Sequence, residues 1–329
     1  MLAEMRFLRG YAYFIGAHTY GDLPKVTSTD QETNRNIPKS PKAEILALVL
    51  EDWTAAEKDL ATIEAGSTAT VVNGTYANKI SAQAMLARYY LYQKNWAQAE
   101  QFATQVINAN VYVLEPNFID VISKDFIKES ILEVGYALSD DPGTSNFSLT
   151  NLYVGRREVI PSDQVVISLQ STEAGTRNAT ITFDADDLDG DDNGWTVRKY
   201  GTADADNNNV VLMRLAEMYL IRAEARAQQN KLTGANGAIA DLNVLRARAK
   251  APNLVATNQA EVLLAVERER VYELAFEGHR WFDLIRTGRA QTVMSAFTPN
   301  WNSRYERWPI PQGEIQRNPA LKDAQNPGY

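Results

Sequence analysis

The sequence predicts a mainly α-helical fold, a stack of tetratricopeptide-like helix pairs with an irregular, loop-rich capping subdomain. Three observations predict it. Apolar residues recur at helical spacing in the outer parts of the chain, two helix pairs repeat one alanine pattern, and the middle of the chain lacks both features. We therefore expect a single domain over residues 1–329, with the helical stack formed by 1–110 and 210–290 and the cap by 111–209 and 291–329.

The chain begins with two amphipathic segments. Residues 2–18 carry apolar side chains in steps of three and four, which predicts one helix. Residues 26–41 are mostly polar, contain two prolines and are expected to form a loop. A second helix is expected over 43–65, because Gly66 follows as a stop signal. Since residue 1 already lies inside a helix and no leader peptide precedes it, we expect a chain truncated at its N-terminus.

Two helix pairs follow the same plan. The first joins residues 78–93 to 96–109, and the second joins 211–229 to 237–249. Small residues recur in both pairs, at Ala84, Ala87, Ala99, Ala103, Ala216, Ala223, Ala227 and Ala238. Small side chains let antiparallel helices approach closely, as in tetratricopeptide repeats. A last, charge-rich helix is expected over 261–288, where opposite charges three and four positions apart support helix formation.

The sequence predicts no helices in the remaining segments. Short β-like runs occur at 131–136, 165–169 and 180–183, between clusters of Gly, Ser, Asn and Asp. From residue 290 onward, five prolines indicate loop structure. We expect these segments to form the cap.

Composition narrows the functional classes. Lys and Arg number 33 and Asp and Glu number 41, so the net charge is −8, which argues against nucleic acid as the main partner. The chain has no cysteine, which excludes disulfides, thiolate nucleophiles, Cys-ligated zinc and iron–sulfur clusters. No apolar run approaches the roughly 20 residues of a membrane-spanning helix.

Motifs of catalysis are missing from the sequence. It contains no Gly-x-Ser-x-Gly, HExxH, P-loop or GxGxxG pattern. Glu277 could orient His279 as a general base, but we favour a structural network in which Arg280 and Arg286 pair with Asp283 or Glu277. A hydrolase using two carboxylates stays an open alternative, although no spacing singles out such a pair.

An acidic segment, 184–192, raises the question of calcium. The segment would need ligands at the EF-hand positions, but Ala185 falls at the first of them and Thr196 where the bidentate glutamate belongs. We therefore expect a solvated acidic loop and no metal site, with calcium binding left as the alternative.

Aromatic residues in loop-like contexts are the stronger functional indication. The apolar faces of sugar rings stack on aromatic planes, while Asn, Asp and Arg bond sugar hydroxyls. The ligand-binding candidates are Tyr153, Trp195, Tyr200, Trp301 and Tyr305, with Arg198 and Asn302 as polar partners. For each ring taken alone, packing in the protein interior stays open as the alternative.

Four segments resemble the motifs of SusD/RagB-family proteins. Residues 212–225 (LMRLAEMYLIRAEA) resemble the "RLAE-x-YL-x-RAEA" signature, and residues 269–286 resemble a second family motif. Residues 6–24 look like the family's "R-x-LRA…YGD-x-P" helix, with Gly10 where alanine is usual. Residues 308–329 look like its terminal pattern. The resemblance runs over nearly the whole chain.

The resemblance implies a non-catalytic, cofactor-free lipoprotein at the cell surface of the outer membrane. Such proteins bind glycans, starch-like oligosaccharides among them, and take up nutrients together with a SusC-like TonB-dependent transporter. The family's export signal, lipid-bearing cysteine and first helices are absent from this chain. Peptide binding of the RagB type and a purely protein-docking scaffold are the alternatives. Glycan contacts lie in variable loops of the family, so the candidate residues above rest on the aromatic argument alone.

Overall fold

The computed structural model describes residues 1–64, 66, 74–135, 148–188, 190–201 and 209–329. The helices are α1 (Leu2–Tyr20), α2 (Gln31–Asn34), α3 (Lys42–Asp59), α4 (Lys79–Tyr92), α5 (Trp96–Asn108), α6 (Phe118–Ser123), α7 (Asp163–Gln170), α8 (Leu215–Gln228), α9 (Ala238–Arg248), α10 (Gln259–Glu273), α11 (Arg280–Arg286), α12 (Ala290–Phe297) and α13 (Gln312–Arg317). The strands are β1 (Leu23–Pro24), β2 (Lys39–Ser40), β3 (Ser130–Val134), β4 (Ile181–Phe183), β5 (Trp195–Val197) and β6 (Val210–Arg214). This architecture confirms the mainly helical fold class.

The chain divides into two compact units. The first unit consists of Met1–Leu60 and Trp281–Tyr329, and the second consists of Ala61–Arg280. The single domain over 1–329, with its assignment of stack and cap, stays a prediction. None of the helices in the described part of the chain is long and apolar enough to cross a membrane.

In the first unit, α1 packs against α3. Phe7 and Phe14 on α1 and Trp53 on α3 are fully or almost fully buried. The Trp53 indole nitrogen donates a hydrogen bond to the Phe7 carbonyl oxygen at 3.1 Å, which fixes the ring. Both helices were expected from apolar spacing, but α3 ends at Asp59, short of the expected residue 65, which lies outside the described residues.

The fixed Trp53 ring explains the glycine at position 10. A Cβ atom on Gly10 would lie 2.7 Å from Trp53 Nε1 and 2.9 Å from its Cδ1. Gly10→Ala is therefore expected to lower the free energy of unfolding by about 1–3 kcal/mol, because overpacking outweighs the better helix propensity of alanine.

Urea denaturation tests this prediction, with Gly313→Ala on α13 as the matched control. A Cβ atom at Gly313 would meet no atom within 4 Å, so this change is expected to be neutral or stabilising. Equal effects of the two substitutions would show that Gly10 does not limit packing.

The second unit contains the predicted helix pairs. Helices α4 and α5 pack together, α5 packs on α8, and α8 packs on α9 and α10. The eight alanines of the repeated pattern are all fully buried at these contacts: Ala84, Ala87, Ala99, Ala103, Ala216, Ala223, Ala227 and Ala238. Tyr90 stacks on Phe102 with ring centroids 5.6 Å apart and planes 12° from parallel. The tetratricopeptide-like stacking of these helices is thus confirmed.

Buried ion pairs join neighbouring helices of this stack. Arg88 on α4 binds Glu217 on α8 through two side-chain hydrogen bonds of 2.6 and 2.8 Å. Arg226 on α8 contacts Glu100 on α5 at 3.1 Å and Asp241 on α9 at 2.9 Å. These pairs supplement the alanine contacts with directional bonds, which fix how the helices align.

Two expected helices are shorter than the sequence predicts. Residues 210–214 form β6 and pair antiparallel with β3, so α8 begins only at Leu215. The charge-rich helix expected over 261–288 ends at Glu273. Phe276 (φ 63°) and Gly278 (φ 77°) then adopt left-handed conformations, which interrupt the helix before α11 begins.

Three further expectations concern the irregular segments. The run at 131–136 overlaps β3, which begins one residue earlier, and the run at 180–183 contains β4. Residue 136 lies outside the described residues. The strand predicted at 165–169 is wrong, because these residues form part of helix α7, in which Leu169 is buried. The loop expected from residue 290 is also wrong in part, since α12 and α13 lie there. Helix α13 forms despite the nearby prolines because Pro311 lies at its N-cap, ahead of the first helical residue. The missing N–H of proline breaks no helical hydrogen bond there.

Candidate functional site

The seven candidate residues fall into two groups. Four of them lie in the second unit and three in the first. The second-unit residues are Tyr153, Trp195, Arg198 and Tyr200, and the first-unit residues are Trp301, Asn302 and Tyr305. Each group is therefore a candidate surface of its own unit.

The strand pair β4–β5 carries the first aromatic surface. Its register places Phe183 opposite Trp195, with ring centroids 5.4 Å apart and planes at 55°. Phe183 is 50% exposed and Trp195 is partly buried. Arg198 is exposed just beyond β5. The strand pair thus presents Phe183 to solvent with the partly buried Trp195 beside it.

Tyr200 does not offer its ring to solvent. It is 3% exposed, its hydroxyl donates to the Phe276 carbonyl oxygen at 2.8 Å, and burial raises its pKa well above the usual value. Its ring stacks on Tyr153 with centroids 5.7 Å apart. For Tyr200 the structure favours the alternative that the sequence left open, because the ring packs inside the unit against the half-buried Tyr153.

Arg157 pairs with two aspartates of the acidic loop ahead of Trp195. The Arg157 guanidinium donates to both carboxylate oxygens of Asp192, at 2.6 and 2.7 Å, and lies 3.0 Å from Asp187. The hydrogen bond from Arg157 holds the pKa of Asp192 below its usual value. Within the described ranges, which omit Asp189, no group of three or more potential ligands could hold a metal ion.

The second aromatic surface is the Trp301 cluster, defined here as Trp281, Trp301, Tyr305, Tyr329 and Arg304. The Trp301 ring meets Trp281 edge to face at 5.9 Å and Tyr305 edge to face at 6.1 Å. The Arg304 guanidinium lies over Tyr305 at 5.1 Å and over Tyr329 at 5.3 Å. Tyr305 is 37% exposed and Tyr329 is 45% exposed. The cluster is thus a continuous aromatic surface with a cation set into it.

Polar groups hold the Trp301 cluster in place. The Trp301 indole nitrogen donates to Gln291 Oε1 at 2.8 Å. Asn302 Oδ1 accepts the backbone N–H of Arg304 at 3.0 Å, and Arg304 Nη1 donates to the Gly328 carbonyl oxygen at 2.9 Å. Rings fixed in this way lose little conformational entropy when a ligand binds.

Sequence reasoning identified only part of this cluster. It selected Trp301, Asn302 and Tyr305, which the structure brings together. It did not select Trp281 or Tyr329 as site residues, because both reach the cluster from distant positions in the chain and no local pattern marks them.

The motif at 269–286 contributes to a set of buried and half-buried ion pairs. Glu277 binds Arg214, with Nη2 at 2.9 Å, and also contacts the Lys199 ammonium group. His279 Nδ1 lies 3.9 Å from a Glu217 oxygen, and the Glu277 carboxylate is engaged by Arg214 and Lys199. The expected pair between Arg286 and Asp283 is present at 2.8 Å, and Arg280 pairs with Glu267 instead, at 2.9 Å.

The ion pairs of Glu277 make the free energy of unfolding depend on pH in the acid range. Burial alone would raise the pKa of Glu277, but Arg214 and Lys199 outweigh it and lower the pKa from 4.5 to about 2. A depressed carboxyl pKa stabilises the fold above the unfolded-state value and ceases to do so as pH falls through the folded-state value. The free energy of unfolding is therefore expected to fall between pH 4.5 and about 2.

Urea midpoints measured across that pH range check the prediction, with Glu277→Gln as the comparison. The variant is expected to be less stable at pH 7 and to lose less stability on acidification. If the urea midpoints of the wild type and of Glu277→Gln fell by the same amount on acidification, Glu277 would not be the group responsible for the loss of stability.

These features define a class of protein. The second unit is built of stacked helix pairs, and the first unit carries exposed aromatic rings with amide and guanidinium neighbours; both features are typical of ligand-binding proteins. Residues 191–329 match the model of the SusD family.

Individual relatives agree with that match. SusD-like protein P38 of Formosa agariphila is 26% identical over 377 residues, which cover 98% of this chain and 73% of P38. The starch-binding protein SusD of Bacteroides thetaiotaomicron is 33% identical over 133 residues, 37% of this chain and 22% of that protein. A solved laminarin-binding SusD-like protein has a TM-score of 0.75 at 25% identity, covering 99% of this chain and 78% of the other. The chain is thus similar to SusD-family proteins, with the family model matching its C-terminal part.

Proposed function

We propose that the protein binds oligosaccharides at the cell surface without altering them. The single observation that carries the proposal is the Trp301 cluster, where ring faces lie next to the amide of Asn302 and the guanidinium of Arg304. Flat rings match the apolar faces of sugar rings, and the polar groups match their hydroxyls. Phe183 and Trp195 on the strand pair supply a second ring surface.

The names of two similar proteins support a glycan ligand. One is a starch-binding protein and the other a laminarin-binding protein. Both polysaccharides are neutral glucans, so they present the ring faces that such a cluster would stack against. The resemblance to SusD-family proteins favours a wider role: uptake together with a SusC-like TonB-dependent transporter, at the outer membrane and through a lipid anchor.

The buried carboxylates of the motif at 269–286 favour binding without catalysis. Glu273 and Glu277, the two acidic residues that precede His279, are held in ion pairs with arginines. Ion pairing with buried guanidinium groups keeps a carboxylate ionised, which makes it unsuitable as the general acid of a glycosidase.

Affinity electrophoresis of the purified chain tests the proposal. Laminarin or starch in the gel is expected to retard the protein, with dissociation constants between roughly millimolar and micromolar. No retardation by either glucan or by other neutral polysaccharides would contradict glycan binding. Retardation accompanied by released oligosaccharide products would contradict the non-catalytic part. Retention by peptides alone would favour the RagB-type alternative.

A further inference from the structure

The short helix α12 (Ala290–Phe297) carries two exposed polar side chains at the border of the Trp301 cluster. Gln291 and Ser295 lie one helical turn apart, so they share one face of the helix. Gln291 also contacts the cluster itself, because its Oε1 accepts the hydrogen bond from the Trp301 indole nitrogen at 2.8 Å. Polar groups of α12 therefore lie at the edge of a ring whose face is the proposed glycan-binding surface.

Two hydrogen bonds fix the orientation of the Gln291 amide. An indole N–H can only donate, so the amide oxygen faces Trp301 and the amide nitrogen points the other way. That nitrogen donates a hydrogen bond to Ser295 Oγ at 2.8 Å. The two bonds form a relay from the indole through the amide to the hydroxyl, and hydrogen bonds in such a chain strengthen one another.

The Ser295 hydroxyl ends the relay as a donor. Its oxygen accepts the bond from Gln291, and its hydrogen has no acceptor in the part of the chain that the structure describes. Ser295 and Gln291 are both exposed, so a ligand that stacks on the cluster can reach them. Because both groups are uncharged, they suit a neutral hydroxyl better than an acidic group.

The shape of a sugar ring determines which hydroxyl such a donor meets. A sugar stacked on an aromatic face directs its equatorial hydroxyls sideways, past the edge of the aromatic ring, where neighbouring polar groups can bond them. Starch and laminarin share one unsubstituted ring hydroxyl, on the carbon beside the anomeric carbon, because neither linkage uses it. That hydroxyl is equatorial in glucose and axial in mannose, so a donor at the ring edge distinguishes the two sugars.

We infer that Gln291 and Ser295 form the polar part of the glycan site at the Trp301 cluster. Ser295 donates to the equatorial hydroxyl beside the anomeric carbon, and Gln291 is a positioning residue that holds the indole and the serine hydroxyl in place. The inference rests on the proposed function, since it takes the cluster as the glycan site. It goes further by naming the ligand class, neutral glucans selected over mannans.

Calorimetric titrations with laminarin oligosaccharides and with manno-oligosaccharides of equal length test the role of Ser295. Ser295→Ala is expected to weaken laminarin binding about three- to tenfold, the loss typical of one neutral hydrogen bond. Its affinity for manno-oligosaccharides is expected to stay at the wild-type value. The matched control is Thr292→Ala, which removes a hydroxyl from an exposed residue of the same helix and is expected to change neither affinity.

The Trp301 indole N–H signal in two-dimensional NMR spectra tests the role of Gln291 without any ligand. Gln291→Ala removes the acceptor of the indole hydrogen bond, so the signal is expected to move upfield. Gln291→Glu keeps an acceptor and is expected to keep the signal of a hydrogen-bonded indole. The carboxylate cannot donate to Ser295 and instead accepts from its hydroxyl, so Gln291→Glu is expected to bind laminarin about as weakly as Ser295→Ala.

The outcomes separate this inference from the proposed function. Wild-type laminarin affinity in Ser295→Ala, or an unmoved indole signal in Gln291→Ala, would overturn the polar site while Trp301→Ala could still show glycan binding by the cluster. Equal binding of laminarin and manno-oligosaccharides by the wild type would overturn the selection of glucans. Wild-type protein that binds neither oligosaccharide would contradict the proposed function itself, and the inference with it.

Discussion

Glu273→Gln is expected to lower the free energy of unfolding by about 3–5 kcal/mol, the largest stability effect of any single substitution proposed here. Glu273 is fully buried. Its carboxylate contacts Arg214 at 2.6 Å and Arg177 at 3.5 Å, and it also contacts Arg248. The amide keeps the size of the side chain but removes its charge, which leaves buried guanidinium groups without full compensation.

Urea denaturation at pH 7 measures this effect. The matched control is Glu314→Gln on α13, because Glu314 is exposed and forms a single pair with Arg317 at 3.1 Å. An exposed pair of this kind contributes about 0–1 kcal/mol. Midpoints for the two variants that agree within error would show that the buried network does not stabilise the second unit.

Trp301→Ala is expected to weaken binding of laminarin or starch oligosaccharides by about 2 kcal/mol or more, roughly thirtyfold in Kd. The indole lies between Trp281 and Tyr305, so its removal both deletes one ring face and releases its neighbours. Trp301→Phe keeps an aromatic face and is expected to retain most of the affinity, although it cannot donate the hydrogen bond to Gln291.

Calorimetry on three variants checks this prediction. Trp308→Ala is the control, since Trp308 is 55% exposed in the same unit but packs on Tyr20 rather than within the Trp301 cluster. If Trp301→Ala and Trp308→Ala lost the same amount of oligosaccharide affinity, binding would require surface tryptophans in general and not the Trp301 cluster. An unchanged Kd for Trp301→Ala would remove the cluster from the binding site.

The helical part of the fold was accessible from the sequence because its determinants are local. Alanines at helical spacing marked both helix pairs, and they are the residues buried where α4, α5, α8 and α9 meet. Strand β6 was missed because residues 210–214 are extended only through pairing with residues 130–134, far away in the chain. The break after Glu273 was missed because Phe276, a residue that rarely adopts positive φ, does so here.

The candidate site was predictable only in part, for a related reason. Composition identified Trp301, Asn302 and Tyr305, which are close in sequence and share one short turn. Tyr329 joins them through Arg304, a contact that no local pattern encodes. Burial also depends on long-range packing, so Tyr200 could not be distinguished from an exposed tyrosine by its neighbours in sequence.

The six tryptophans of the chain allow the most direct test of ring-face binding. Their indole N–H signals can be followed by two-dimensional NMR, assigned by single substitutions, during titration with laminarin oligosaccharides. The account predicts that the Trp301 signal shifts in a saturable way, while the signal of the fully buried Trp53 stays in place. Saturable glycan binding that leaves the Trp301 signal unmoved would contradict the central claim.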